Sequence, residues 1–167
     1  SGVVAINAIE GLAIVQPQLA GVTCPAGPPA AEHSWFASDP ASLSDQYLTM
    51  ANPVAITAGT ELQFWHNYIT EATYDGGVVE YSSNGGVSWT DLGSLITQTN
   101  YTGPISSSFS NPIAGRQAYE GTSGGYLQTL ADLSSLAGQS IQIRFRMASD
   151  TGAHTQRTRA TKRHRRR

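Results

Sequence analysis

TELQFWHNYITEATYDGGVVEYSSNGGVSW, Thr60 to Trp89, decides the fold. Leu62, Phe64, His66 and Tyr68 alternate with Gln63, Trp65, Asn67 and Ile69, which is the period of a strand. Aromatic side chains occur in both sets, so the strand is expected to be central, with neither face fully wet. Asp75-Gly76-Gly77 signals a turn, and Val78 to Ser82 is a second strand. The two strands are expected to pair antiparallel. Their seven-residue connection, Thr70 to Gly76, is longer than a tight hairpin and marks a candidate functional loop.

SSNGGVSW, Ser82 to Trp89, closes the stretch and resembles the Asp-box pattern S-x-D-x-G-x-T-W. Asn84 stands for Asp and Ser88 for Thr. Asn84 and Gly85 tolerate positive φ, the Ser82 and Asn84 side chains can tie the turn, and Trp89 packs over it. The motif specifies a hairpin and carries no chemistry of its own.

Outward from this stretch the chain stays β-rich. On the N-terminal side, Gln46 to Met50 and Val54 to Thr57 are short strands separated by Asn52-Pro53. On the C-terminal side, Asp91 to Thr97 is a strand or a short helical turn. Thr99 to Gly115 is a long loop with one short strand. Tyr126 to Asp132 and Gln139 to Met147 are strands, the latter with Ile141, Ile143, Phe145 and Met147 inward and Gln142, Arg144 and Arg146 outward. Val3 to Val15 supplies one or two strands, interrupted at Gly11, and the proline-rich Cys24 to Ala31 is a linker. Short strands, glycine-rich turns and no long helical period point to an all-β antiparallel sandwich or jelly roll. The expected organisation is a lead-in and linker over 1–31, one domain over 32–150, and a basic tail over 151–167.

Charge is divided unevenly. All twelve acids lie at or before Asp150, against three basic residues there, Arg116, Arg144 and Arg146, a formal charge of −9. The remaining seven basic residues follow Asp150. An acidic body argues against a nucleic-acid-binding domain, which would need a basic surface to release counterions from phosphate. Cys24 is the only cysteine, which excludes an intrachain disulfide and a multi-cysteine zinc site. No signal peptide and no apolar span long enough for a membrane occur. The chain is read as a fragment, with any export signal upstream.

Candidate chemistry is concentrated in carboxylates. Glu71 and Asp75 flank the Thr70 to Gly76 loop, and Glu80 follows on the next strand. Solvated loop acids are the plain reading. Calcium ligation by several carboxylate and carbonyl oxygens is the second, with Asp39 and Asp45 as weaker candidates. General acid–base work, as in a glycosidase, is the third. His66, between Trp65 and Asn67, reads as a hydrogen-bonded core histidine. No HExxH or GxSxG motif occurs, and no catalytic residue is assigned. Trp35, Trp65, Trp89 and the tyrosines are core residues or, alternatively, a sugar-stacking platform.

Three segments together resemble a known family: EHSWFASDPASLSDQYLTM, ELQFWHNYITEATYDGGVVEYSSNGGVSWTDLG and SNPIAGRQAYEGTSGGYLQTLADLSSLAGQSIQIRFRMASD. In this order they look like the MAM-like jelly-roll domain of secreted bacterial proteins, similar to the C-terminal accessory domain of immune inhibitor A (M6-type) metalloproteases. The likeness covers Glu32 to Asp150. It implies a non-catalytic, extracellular or cell-surface accessory domain for adhesion, substrate engagement or support of a neighbouring catalytic domain. The partners it implies are neighbouring domains of a larger chain, a glycan or a cell-surface protein. It also implies Ca²⁺, with Glu71 and Asp75 in the part of the pattern where ligands are placed. Such domains run from the R-F-R strand into a G-W-Y-x-D-D segment. Here TGAHTQRTRATKRHRRR follows Asp150. The expectation is a jelly roll lacking its last strand, with a tail produced by a reading-frame shift or, alternatively, a natural basic tail that binds anionic surfaces. A carbohydrate-binding module and a glycosidase remain the rival functions.

Overall fold

The computed structural model describes residues 2–6, 13–15 and 35–152. The proline-rich stretch, His33, Cys24 and the basic residues after Asp150 lie outside the described residues, and with them the expectations about linker and tail.

The strands are β1 (Gly2–Ile6), β2 (Ala13–Val15), β3 (Trp35–Asp39), β4 (Ser44–Thr49), β5 (Val54–Ala55), β6 (Glu61–Ile69) and β7 (Gly76–Ser82). They continue as β8 (Thr90–Asp91), β9 (Ile96–Gln98), β10 (Gly103–Pro104), β11 (Gln117–Glu120), β12 (Leu127–Asp132) and β13 (Ser140–Ser149). Short 3-10 turns occupy Gly93–Leu95 and Ser134–Leu136, so 91–98 contains both the turn and the strand that the sequence left as alternatives. No helix among the described residues is long and apolar enough to cross a membrane.

The strands form two antiparallel sheets packed as a β-sandwich. The first has the order β3-β1-β6-β12-β9, with β2 also against β6. The second has the order β10-β11-β7-β13-β4, with β5 against β13 and β8 against β7. β6 is central as expected, but its pairing differs from the sequence expectation. It pairs with β1, β2 and β12, and β7 pairs with β13, β11 and β8 in the other sheet. The physical reason lies in the connection. Tyr74 and Asp75 donate N–H bonds back to the Glu71 carbonyl at 3.1 and 3.0 Å, a compact turn that carries the chain across the sandwich instead of folding it back. Gly76 then permits close approach of β11, since a Cβ there would lie 2.8 Å from the Tyr119 carbonyl oxygen.

The main core lies between the sheets. Leu62, Phe64 and Tyr68 of β6 face Val79 of β7 and Ile141, Ile143, Phe145 and Met147 of β13. Phe64 and Phe145 meet edge to face with centroids 5.0 Å apart, one ring from each sheet. Each such side chain contributes roughly 1.5–3 kcal/mol on burial. A smaller core of Val78, Ile105, Ile113, Ala118 and Ala148 covers the opposite face of the second sheet. The long loop is therefore folded onto that face, held by its own isoleucines.

The Asp-box-like hairpin forms as expected. Ser82 Oγ accepts from Gly86 N–H at 2.9 Å, and Asn84 Oδ1 accepts from Ser88 N–H at 2.9 Å. The Trp89 indole N–H donates to the Gly86 carbonyl at 3.1 Å. Arg144 and Arg146 do point away from the main core, but not into open water. The Arg144 guanidinium lies between the Trp89 and Tyr47 rings, 4.2 and 4.6 Å from their centroids, and bonds Glu80.

Candidate metal centre

Two connections leave the first sheet for the second at one end of the sandwich, β3 to β4 and β6 to β7, and β13 ends there too. Asp39 closes β3, Glu71 and Asp75 begin and end the crossing turn, and Asp150 follows β13. One ligand atom each from Glu71, Asp75 and Asp150 lies within 4.8 Å of the others. Asp75 and Asp150 are 0 % and 1 % exposed and Asp39 is 3 % exposed, while Glu71 is half-buried.

The charges are tightly coupled. Burial pushes the Asp75 carboxyl up to about 7; the Asp150 N–H bond works against this, and the Asp39 charge and hydrogen bond and the Asp150 charge add to it. That N–H reaches Asp75 Oδ1 at 2.7 Å. In the chain by itself, Asp75 therefore keeps its proton to higher pH than an ordinary carboxyl, because a dry site with like charges nearby disfavours the ionised form.

The turn is held from outside the cluster. Thr73 has φ of 69°, a left-handed conformation that a β-branched residue adopts only when its surroundings impose it. Its N–H donates to Glu120 Oε2 at 2.8 Å and its carbonyl accepts from Ser106 N–H at 2.7 Å. Buried Asn111 donates through Nδ2 to the Tyr74 carbonyl at 2.7 Å and to the Ala148 carbonyl at 3.3 Å. The long loop thus braces both the turn and the end of β13.

The donor set is all oxygen, with no histidine or cysteine among Glu71, Asp75 and Asp150. Such a set fits a hard cation. Oxygens at 2.3–2.6 Å from one Ca²⁺ lie at most about 5 Å apart, so the observed spacing fits that ion, and Ca²⁺ bound there would supply the positive charge that the carboxylates lack.

Other sequence candidates are placed elsewhere. Asp45 is not brought to the cluster: Arg146 donates to both its oxygens at 2.8 and 2.9 Å, and Tyr47 donates to Oδ2. Burial raises the Asp45 carboxyl, but the bonds from Arg146 and Tyr47 outweigh it and hold the group below its usual range. Glu80 is bound by Arg116 at 2.6 Å and Arg144 at 2.5 Å on the outer face of the second sheet. His66 is a buried core histidine, 3 % exposed, with Nε2 3.0 Å from Thr129 Oγ1. Asp150 was not singled out from sequence; its signal is an acid placed directly after a strand whose inward residues are apolar from Ile141 to Met147. Comparison with family models, with curated proteins and with solved structures finds no match to this chain.

Proposed function

We propose that the chain is a non-catalytic, MAM-like jelly-roll accessory domain of an exported bacterial protein. Its acidic end holds Ca²⁺ through Glu71, Asp75 and Asp150, with Asp39 beside Asp75. The observation that carries the metal reading is the convergence of these carboxylates, from three separate parts of the chain, at the end where both sheets are joined. Burying them together is costly without a counter-charge. A cation coordinated by Glu71, Asp75 and Asp150 would fasten the crossing turn to the end of β13, and through Asp75 to Asp39 at the end of β3. The domain would then present a rigid surface for adhesion, substrate engagement or support of a neighbouring domain. The rings of Trp89 and Tyr47 stack on Arg144 and Glu80 is bound by arginines. This internal use of aromatics and acid favours the accessory reading over a sugar platform or a glycosidase.

Calorimetry and thermal melts at pH 7.5 with millimolar Ca²⁺ and with EDTA test the metal reading. Ca²⁺ is expected to raise the Tm of the wild type and to leave the Asp75→Asn, Asp150→Asn double variant unmoved. In EDTA the double variant is expected to melt no lower than the wild type, because the substitution removes repulsion. Absence of any response of the wild type to Ca²⁺ refutes the site. The accessory role is tested by expressing the domain beside its neighbouring domains and deleting it: unchanged adhesion, substrate use and stability of the remainder would refute it.

A further inference from the structure

A second feature lies between the sheets and shares no residue with the acidic cluster. It is a cavity of about 190 Å³ lined by Phe64, His66, Tyr68, Tyr119, Phe145 and Met147, with Phe36 and Tyr47 among the residues at its open side. Among the described residues β3 and β4 are the terminal strands of the two sheets, and the cavity, bordered by Ala37 of β3 and Leu48 of β4, opens between them. Protein interiors keep few voids larger than a water molecule, and an apolar cavity of roughly 150 Å³ accepts benzene. The space here has room for such a ring with a small substituent.

The wall is not purely apolar, and its polar atom has a definite character. Tyr119 Oη donates to the Thr99 carbonyl at 2.9 Å, and Thr129 Oγ1 donates to the same carbonyl at 3.1 Å. Tyr119 Oη and Thr129 Oγ1 are also 3.2 Å apart. In the arrangement that places both hydroxyl hydrogens on the Thr99 carbonyl, Thr129 Oγ1, 3.0 Å from His66 Nε2, accepts, and Nε2 carries the imidazole hydrogen. That leaves Nδ1 as a hydrogen-bond acceptor. Burial lowers the His66 pKa to about 4, so the ring is neutral and the lone pair available at pH 7. The Tyr119 ring packs edge-on against the imidazole, centroids 4.3 Å apart, and holds its orientation.

We propose that this cavity binds a small aromatic molecule carrying one hydrogen-bond donor, with the ring among Phe64, Tyr68, Tyr119 and Phe145 and the donor hydrogen on His66 Nδ1. A pocket that hydrogen-bonds a hydroxyl discriminates against the isostere lacking it, because its own polar group is then left unpaired. A wholly apolar cavity does the reverse and rejects the hydroxyl.

Phenol and toluene, nearly equal in size, separate these cases. Binding of each to the full chain at pH 7 is measured by thermal shift and titration, with the His66 ring nitrogens followed by ¹⁵N NMR. Phenol is expected to bind at least about fivefold more tightly than toluene, to raise the Tm with concentration and to move the Nδ1 resonance. His66→Leu is expected to invert the preference. Binding of neither probe at millimolar concentration overturns the proposal. So does tighter or equal binding of toluene to the wild type, or an Nδ1 that is protonated in the free protein. The NMR measurement and the phenol–toluene comparison use the wild type alone, so they decide the question even where the variant does not fold.

Discussion

Replacing Glu80 with Gln should expose how the second sheet is held. The Glu80 side chain is 4 % exposed, with Oε1 2.6 Å from Arg116 Nη1, Oε2 2.5 Å from Arg144 Nε and Arg146 Nη1 3.6 Å away. It faces Arg144 across β13 and Asp91 across β8 in the strand register, so it sits at the centre of a row that ties three strands. Arg116 goes on to Asp91. Removing one member of a buried pair costs about 3–5 kcal/mol. The arginine side chains here are 16 % and 27 % exposed, so water recovers part of that, and Glu80→Gln, which keeps the shape and one acceptor, should cost about 2 kcal/mol. Glu80→Ala should cost about 3 kcal/mol, since packing is lost as well. The pair of Arg146 and the more exposed Asp45, side chains 15 % and 29 % exposed, provides the internal reference, and Asp45→Asn should cost at most about 1 kcal/mol. Urea unfolding at pH 7 followed by circular dichroism measures all three, compared through midpoints at constant m-value. Moderate salt should weaken the Asp45 effect and leave most of the Glu80 effect. A Glu80→Gln variant as stable as Asp45→Asn, or within 0.5 kcal/mol or so of the wild type, would refute the view that a buried carboxylate organises these arginines.

Other expected outcomes follow from the same structure. His66 is neutral in the fold to about pH 4 but takes a proton near 6.5 when unfolded. Between those values the unfolded chain binds more protons, so His66 makes stability rise with pH over that window, by up to about 1.4 kcal/mol per unit. Subtracting a His66→Leu urea profile from the wild type isolates this slope from the opposite one of Asp75, whose folded value is raised to about 7; a flat difference would contradict it. In the hairpin, Ser82→Ala removes the acceptor of Gly86 N–H and Asn84 N–H and should cost about 1–2 kcal/mol. Asn84→Asp preserves the Oδ1 acceptor of Ser88 N–H and should stay within about 0.5 kcal/mol of the wild type by urea unfolding. Gly76→Ala places a methyl 2.8 Å from the Tyr119 carbonyl and should cost about 1–3 kcal/mol; an unchanged midpoint would mean that β7 and β11 are not so closely packed. Hydrogen exchange with and without Ca²⁺ should show protection gained in 70–77 and 148–152 and none in 82–89, and a uniform change would argue against a local site.

What could be read without coordinates was whatever short-range physics dictates. The 141–147 alternation needs only the two-residue period of a strand, and Ile141, Ile143, Phe145 and Met147 are all buried as it requires. The 82–89 hairpin needs only local side chain to backbone bonds. Alternation states which side of a strand is apolar, but not which sheet receives the strand, and so β6 and β7 were paired with each other when each belongs to a different layer. The same limit hid the polar architecture. Arg144 and Arg146 alternate outward correctly, yet their partners Glu80 and Asp45 are 64 and 101 positions away. Asp75 and Asp150, separated by 75 positions, meet only because β13 runs beside β7 and ends where the crossing turn passes into β7. Glu71 and Asp75 were recognisable as a candidate pair because one loop holds both; Asp39 and Asp150 join them through the sandwich, which no spacing rule encodes.

That geometry also bears on why the acids lie where they do. Within each sheet the strands are joined by hydrogen bonds, whereas the two sheets meet mainly through apolar contact, which is non-directional. A sandwich of this kind needs something that fixes the position of one sheet relative to the other at its ends. At this end β3 passes to β4 and β6 to β7 across the sandwich and β13 ends, and Asp39, Glu71, Asp75 and Asp150 lie at those points. Without a counter-charge these buried carboxylates are costly, and burial first, with the Asp39 and Asp150 charges adding to it, raises the proton affinity of Asp75. With a cation shared among them the same groups become a directional clamp between layers. On the proposed cation reading, Glu71 and Asp75, the acids that most resemble a catalytic pair in the sequence, belong to the structure that holds the sheets together.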